Sequence, residues 1–218
     1  SVVRIGLFSL LPAGITFLQG ETGSELVLLG VTFLMLNFGG VDWKWILAIG
    51  VAALLGIAGI FAYGIIGGST DYKLLRILSF LDPYAYDLDA GYQSLRSQQA
   101  IGAGGASGVG LFVPGSMSQL NFVPEDWTDF IFSTIGEAVG FVGSVSILLL
   151  FLFLILRMLY LSRFTYDKFG RLVIIGVMSM LFLHVVQNVA MTVGLMPITG
   201  IPLPFLSYGG SNLLTNAI

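Results

Sequence analysis

The chain has 218 residues, 56% hydrophobic and only 10% charged, with a mean hydropathy of +0.94. A soluble domain carries about 25% charged residues, so the composition is that of a polytopic membrane protein. With no cysteine there are no disulfides and no thiolate or cysteine-metal chemistry, and a single histidine, His184, excludes a His-rich zinc site. The net charge of −3 says little about partners, and no nucleic acid is expected.

Neither end looks like a natural terminus. Ser1 opens no basic region or cleavage site of a signal peptide, and Ile218 falls where an apolar helix is starting at Ser211-Asn212-Leu213-Leu214. Both ends are expected to be cuts through a larger membrane protein.

Val2 to Gln19 is a first apolar segment, kinked at Pro12. At about 18 residues it is roughly 27 Å long as a helix, close to the bilayer core. Glu25 to Gly40 is a second, shorter span, and Ile46 to about Ile66 a third. Between the last two, Trp43, Lys44 and Trp45 suit a membrane–water interface. Residues 67–127 form a long loop, and Ile77-Leu78-Ser79-Phe80-Leu81 and Gly110-Leu111-Phe112-Val113 give it packing groups that argue for order.

Phe130 to Leu161 is too long for one straight crossing, and Gly140-Phe141-Val142-Gly143 is its expected break. Arg163 to Arg171 reads as a short basic loop, Leu172 to Met196 as the last full span, and Pro197 to Gly210 as a Pro/Gly-rich loop. The plan is thus an all-α transmembrane bundle: three spans in 1–66, a large ordered extracytoplasmic loop in 67–127, a broken helix and span in 128–161, a cytoplasmic loop in 162–171, and a span, loop and truncated last span in 172–218. Alternating the spans puts Arg4, Lys44, Arg157, Arg163, Lys168 and Arg171 on one side and only Lys73, Arg76 and Arg96 on the other. The side richer in bases is cytoplasmic, so the long loop faces outward.

Pro124-Glu125-Asp126-Trp127-Thr128-Asp129-Phe130 packs three carboxylates ahead of an apolar helix. Thr128 is placed to cap that helix, with Asp129 in its first turn near the positive end of the dipole. A helix starting near Glu125 would stack Glu125 on Asp129. Paired, partly desolvated carboxylates raise one another's proton affinity, so one becomes a candidate base toward a hydroxyl. Together they could also hold a divalent cation, or serve only as a cap and a solvated rim.

Lys73 and Arg76 lie three apart in the outward loop, a spacing that suits a phosphate or pyrophosphate clamp or a solvated helix face. The run Ile101-Gly102-Ala103-Gly104-Gly105-Ala106-Ser107-Gly108-Val109-Gly110 lacks the strand and Lys-Ser/Thr of a P-loop, and reads as a turn where backbone approaches another element closely. His184, Gln187, Asn188 and Thr192 share one side of the last span, as interhelical hydrogen bonding or a wet path would require.

The stretch Pro197-Ile198-Thr199-Gly200-Ile201-Pro202-Leu203-Pro204-Phe205-Leu206-Ser207-Tyr208-Gly209-Gly210-Ser211 resembles the signature of the SEDS family of bacterial cell-wall polymerases. So do Asp82-Pro83, Gly91-Tyr92, Ala100-Ile101-Gly102, Pro124-Glu125, Thr128-Asp129-Phe130-Ile131-Phe132 and Glu137 with Gly140-Phe141-Val142-Gly143. The wording of Gly194 to Gly200 is closer to the RodA, or elongation, branch than to the FtsW, or division, branch. Arg96, Ala103, Asp126-Trp127 and Ala138 depart from the usual pattern, and Asn121 stands where the division branch often has an acid.

The resemblance implies a multi-pass glycosyltransferase of the bacterial cytoplasmic membrane that joins lipid II into glycan strands on the outer face, with undecaprenyl pyrophosphate leaving. It implies Asp129 as catalytic base. The candidate substrate-binding residues are Lys73, Arg76, Glu125, Gln187, Asn188, Ser207, Tyr208 and Ser211. No covalent cofactor is expected, and a divalent cation (Mg or Mn) is the candidate cofactor. The expected partners are lipid II, membrane lipids and a class B penicillin-binding transpeptidase. A flippase using the His184–Asn188 stripe, and a non-catalytic scaffold for the transpeptidase, are the alternatives.

Overall fold

A computed structural model of the chain describes residues 22–42, 72–84, 90–111, 113–120 and 122–217, with positions 12, 14–16, 19 and 44. The first and third spans expected from the sequence lie almost wholly outside the described residues. Among these residues the structure is all-helical: α1 (Thr22–Phe38), α2 (Tyr72–Leu81), α3 (Ala90–Gly104), α4 (Ile131–Phe164), α5 (Lys168–Thr192) and α6 (Gly210–Ala217). α2 and α3 lie within the long connection. Helices α4 and α5 are long and apolar enough to cross a membrane, with mean hydropathies of 2.8 and 2.1 over an 18-residue stretch of each. On α4, Leu149, Leu150, Phe153 and Leu156 are exposed. A surface that apolar is stable against lipid and not against water, and the protein is a membrane protein.

The chain divides into two compact units, residues 1–75 with 158–180 and residues 76–157 with 181–218. In the first, α1 ends in a Schellman motif: Gly40 takes φ +78°, its N–H donates to Asn37 O, and the Val41 N–H donates to Leu36 O. Gly176 of α5 admits Met35 of α1, since a Cβ there would stand 3.3 Å from the Met35 sulfur. α4 continues to Phe164 and α5 begins at Lys168, so the basic loop expected over 163–171 is only residues 165–167. Asp167 causes this. Its carboxylate accepts from the Phe169 and Gly170 N–H groups and its carbonyl from Arg171, an N-cap that starts the helix four residues earlier than the apolar run.

In the second unit two apolar clusters meet at the start of α4. Ala100, Val123, Phe130 and Ile198 form one, with Met117 against them. Phe132, Phe151, Val185 and Leu203 form the other. The expected break in α4 falls at Gly140, whose φ of 66° and ψ of −167° are not helical. The Gly-rich stretch repairs the backbone bonds this costs. Val109 and Gly110 donate to the carbonyls of Glu137 and Ala138, while Phe141 and Val142 donate to the carbonyls of Gly105 and Ala106. Irregular backbone at such a position is tolerated only when its polar groups are met by protein. Gly104 and Gly108 lie against the backbone of Gly136 and Ala138, where any Cβ would collide.

Glu137 secures the adjoining loop. It is 2% exposed, and its carboxylate accepts from the Met117 N–H (2.6 Å), the Ser118 N–H (3.0 Å) and the Ser118 hydroxyl (2.8 Å). α5 closes at Gly194, φ +76°, in a second Schellman motif: Leu195 N–H donates to Ala190 O and Gly194 N–H to Met191 O. This helix end turns the chain into the Pro/Gly loop, residues 195–209.

Candidate active site

The acidic stretch is a turn, and α4 starts only at Ile131. Thr128 is therefore no N-cap acceptor. Its hydroxyl donates to the carboxylate of Glu125 at 3.0 Å, and Asp129 precedes the first helical turn instead of lying in it. Glu125 makes this possible by adopting φ 55°, a left-handed conformation uncommon for a non-glycine residue. From there its carbonyl accepts from the N–H groups of Thr128 and Phe130. Backbone of this kind persists only where the surroundings over-determine it.

The surroundings here are the Pro/Gly loop and α5. Three consecutive carbonyls of the turn are each held by a donor: Trp127 O by the Tyr208 N–H at 2.8 Å, Thr128 O by the Ser207 hydroxyl at 2.6 Å, and Asp129 O by Asn188 Nδ2 at 2.7 Å. Ser207 is buried and also accepts from the Leu203 N–H at 2.7 Å. Asn188, with no exposed surface, bonds Ile201 O at 2.7 Å through the same Nδ2. Gly200, at φ +70°, lies against the Asp129 carboxylate. Phe130 points inward beside it and anchors the turn on the core.

The Asp129 carboxyl is half-buried, and burial pushes its pKa above the ordinary 3.8. The charge of Glu125 pushes it further up, and that of Arg76 pulls it down. Asp126 is also raised, chiefly by burial. The turn thus presents a carboxyl of increased basicity on which the charges of Glu125 and Arg76 act in opposite directions. Such a group can accept a proton from a hydroxyl held beside it.

Arg76 is partly buried on α2 and lines a small cleft with Ser79, Phe80, Ser94, Met196, Pro197 and Ile198. Lys73 lies one turn earlier on α2, and its side chain is outside the described residues. Glu125 and Tyr208 are exposed at the turn, and Ser211 is exposed at the start of α6. Gln187 is buried in α5, where its Oε1, like His184 Nδ1 and Asn188 Oδ1, has no hydrogen-bond partner. Asn188, Ser207 and Tyr208 thus hold the backbone of the turn that carries Asp129, and the charges of Glu125 and Arg76 act on its carboxyl. Gln187 makes no hydrogen bond to the turn among the described residues.

Gly200 and the backbone role of Asn188 were not anticipated. The sequence signal for both was the glycine and amide within otherwise apolar surroundings. Among the described residues no three Asp, Glu or His side chains gather as a metal-binding group.

These features define a helical membrane protein with a supported carboxylate at the mouth of a broken helix. Residues 1–218 match the family model described as "Cell cycle protein", for FtsW, RodA and SpoVE, and the chain belongs to that family. It is 39% identical over 196 residues to a probable peptidoglycan glycosyltransferase FtsW of Geobacter sp. (strain M18), covering 90% of this chain and 51% of the relative. It is 36% identical over 206 residues to the peptidoglycan glycosyltransferase MrdB of Escherichia coli (strain K12), covering 94% and 54%. It is 46% identical over 147 residues to the peptidoglycan glycosyltransferase RodA of Treponema pallidum, covering 67% and 34%.

A solved structure described as "Structural coordination of polymerization and crosslinking by a peptidoglycan synthase complex" superposes with a TM-score of 0.74 at 32% identity, over 96% of this chain and 56% of that one. The chain spans about half the length of most of the curated relatives it matches. Relatives named RodA and relatives named FtsW are both among them.

Proposed function

We propose that the protein polymerises lipid II into glycan strands at the outer face of the bacterial cytoplasmic membrane. The observation that carries this is Asp129, a carboxyl raised by burial, held through its own carbonyl and subject to the charge of Arg76. Asp129 takes the proton of an acceptor sugar hydroxyl. The freed oxygen bonds to the anomeric carbon of the donor sugar, whose bond to the pyrophosphate oxygen breaks. Undecaprenyl pyrophosphate leaves as an anion, and Arg76, with Lys73, is the basic clamp that receives it. The names of the relatives and of the structural neighbour support the substrate and the reaction.

The finer points belong to the same proposal. The long connection faces outward in a multi-pass topology, on the distribution of Lys and Arg. The elongation role rests on the wording of Gly194 to Gly200, and a class B penicillin-binding transpeptidase is the partner. A flippase that uses the polar side of α5 has less support, because Gln187, Asn188 and Thr192 on that side are buried in the protein.

The test is to incubate the purified protein with labelled lipid II and resolve the products by size. Polymerisation gives a ladder of glycans. Movement of lipid II between leaflets without new glycosidic bonds would contradict it.

A further inference from the structure

Asn188 of α5 bonds both halves of the site through one side-chain atom. Its Nδ2 donates to Asp129 O and to Ile201 O, each at 2.7 Å. Ile201 follows Gly200, where a methyl group would stand 3.4 Å from Asp129 Oδ2. One amide therefore ties together the residue that carries the carboxylate and the strand of loop that forms its floor.

The geometry points to Asn188 as a positioning residue for Asp129, one that never touches substrate. Both hydrogens of Nδ2 are engaged by protein carbonyls and the side chain has no exposed surface, so no donor is left for a sugar or phosphate. The bond goes to the carbonyl of Asp129 itself, one residue before the core anchor Phe130. Loss of the amide leaves two buried carbonyls unmet and frees the turn from the Gly200 floor. A small displacement of a base relative to its hydroxyl is costly in rate, because proton transfer depends on hydrogen-bond reach. Substrate affinity, set by the substrate-binding residues proposed at the turn and on α2, is not affected.

This inference rests on the polymerase reading, and its test separates the two. Lipid II polymerisation by the purified, membrane-reconstituted protein is measured for wild type, Asn188→Ala and Ser97→Ala. Ser97 is equally buried in the same unit, and its hydroxyl donates to Thr192 O at 2.8 Å, away from the Asp129 turn. For Asn188→Ala the expected result is a kcat lower by about a hundredfold with KM for lipid II unchanged. The acid limb of its pH–rate profile should also move toward the ordinary carboxylate range, because loosening the turn admits water to Asp129.

Ser97→Ala should lose thermal stability without either change. Should Asn188→Ala fail to reach the membrane, Asn188→Ser keeps one donor and carries the test with the same expected split. A raised KM at unchanged kcat would overturn the inference by making Asn188 a substrate contact. An activity loss that simply tracks thermal stability in both variants would overturn it by making Asn188 structural only. A wild-type protein that forms no glycan from lipid II would instead sink the polymerase reading itself.

Discussion

Gly200 and Asp129 face one another across the site: Gly200 holds φ +70°, and a Cβ on it would meet Asp129 Oδ2 at 3.4 Å. The contact distance is ordinary, so the demand for glycine comes mainly from the backbone. An L-residue in this conformation costs about 1–2 kcal/mol. Gly200→Ala should reduce polymerisation by shifting the floor under the carboxylate, and Gly200→Asn should be milder, since Asn tolerates the left-handed region. Rates and melting temperatures of the two variants check this; equal activity of Gly200→Ala and wild type would show that the floor does not matter.

Ser207 links the Pro/Gly loop to the same turn in both hydrogen-bonding directions. Ser207→Ala leaves the Leu203 N–H and the Thr128 carbonyl without partners in a buried setting, at a cost of about 1–3 kcal/mol. A lower melting temperature accompanied by lower activity is expected. Ser207→Ala with unchanged stability would mean that water replaces the hydroxyl.

The break in α4 makes a sharper prediction through a pair of glycines. Gly140→Ala forces a Cβ into the backbone of Ala106 and Gly108 at a positive φ, and should expose the 105–110 segment to protease. Gly102, helical and with open space beside it, should accept alanine with a gain of up to about 1 kcal/mol. Limited proteolysis and thermal unfolding distinguish them.

Asp129 titrates above the usual carboxylate, with burial the main cause, Glu125 the second and Arg76 opposing both. Activity that needs the deprotonated base should therefore fall on acidification at a pH above 3.8. Glu125→Gln removes an upward push and should move this limb to lower pH, whereas Arg76→Ala removes a downward one and should move it higher. Because the folded-state pKa is raised, the folded form binds protons more tightly than the unfolded chain. Its contribution to stability is thus lost as pH rises from 3.8 through the folded value. Asp129→Asn should accordingly unfold at a slightly higher temperature than wild type at neutral pH.

Much of this was legible in the sequence because it depends on local patterns. The apolar runs gave α4 and α5, Gly140 marked the break, and within the glycine-rich run Gly104 and Gly108 mark the close approach. The helix starts were harder. Asp167 capped α5 early because a single carboxylate outweighed the hydropathy pattern. Thr128 failed as a cap because Glu125, in an unexpected left-handed conformation, took its hydroxyl. The backbone clamp on Trp127, Thr128 and Asp129 could not be read at all, since its donors lie 59 to 79 residues away along the chain for the side-chain bonds and answer carbonyls, which every residue has.

The central claim is that Asp129 is the base, and the most direct measurement compares wild type with Asp129→Asn on labelled lipid II. The asparagine keeps the shape of the side chain and leaves the backbone bond from Asn188 intact. Wild type should yield a glycan ladder and Asp129→Asn unreacted lipid II, with both proteins equally present and folded in the membrane. A full ladder from Asp129→Asn would contradict the account and reduce the carboxylate to a structural group.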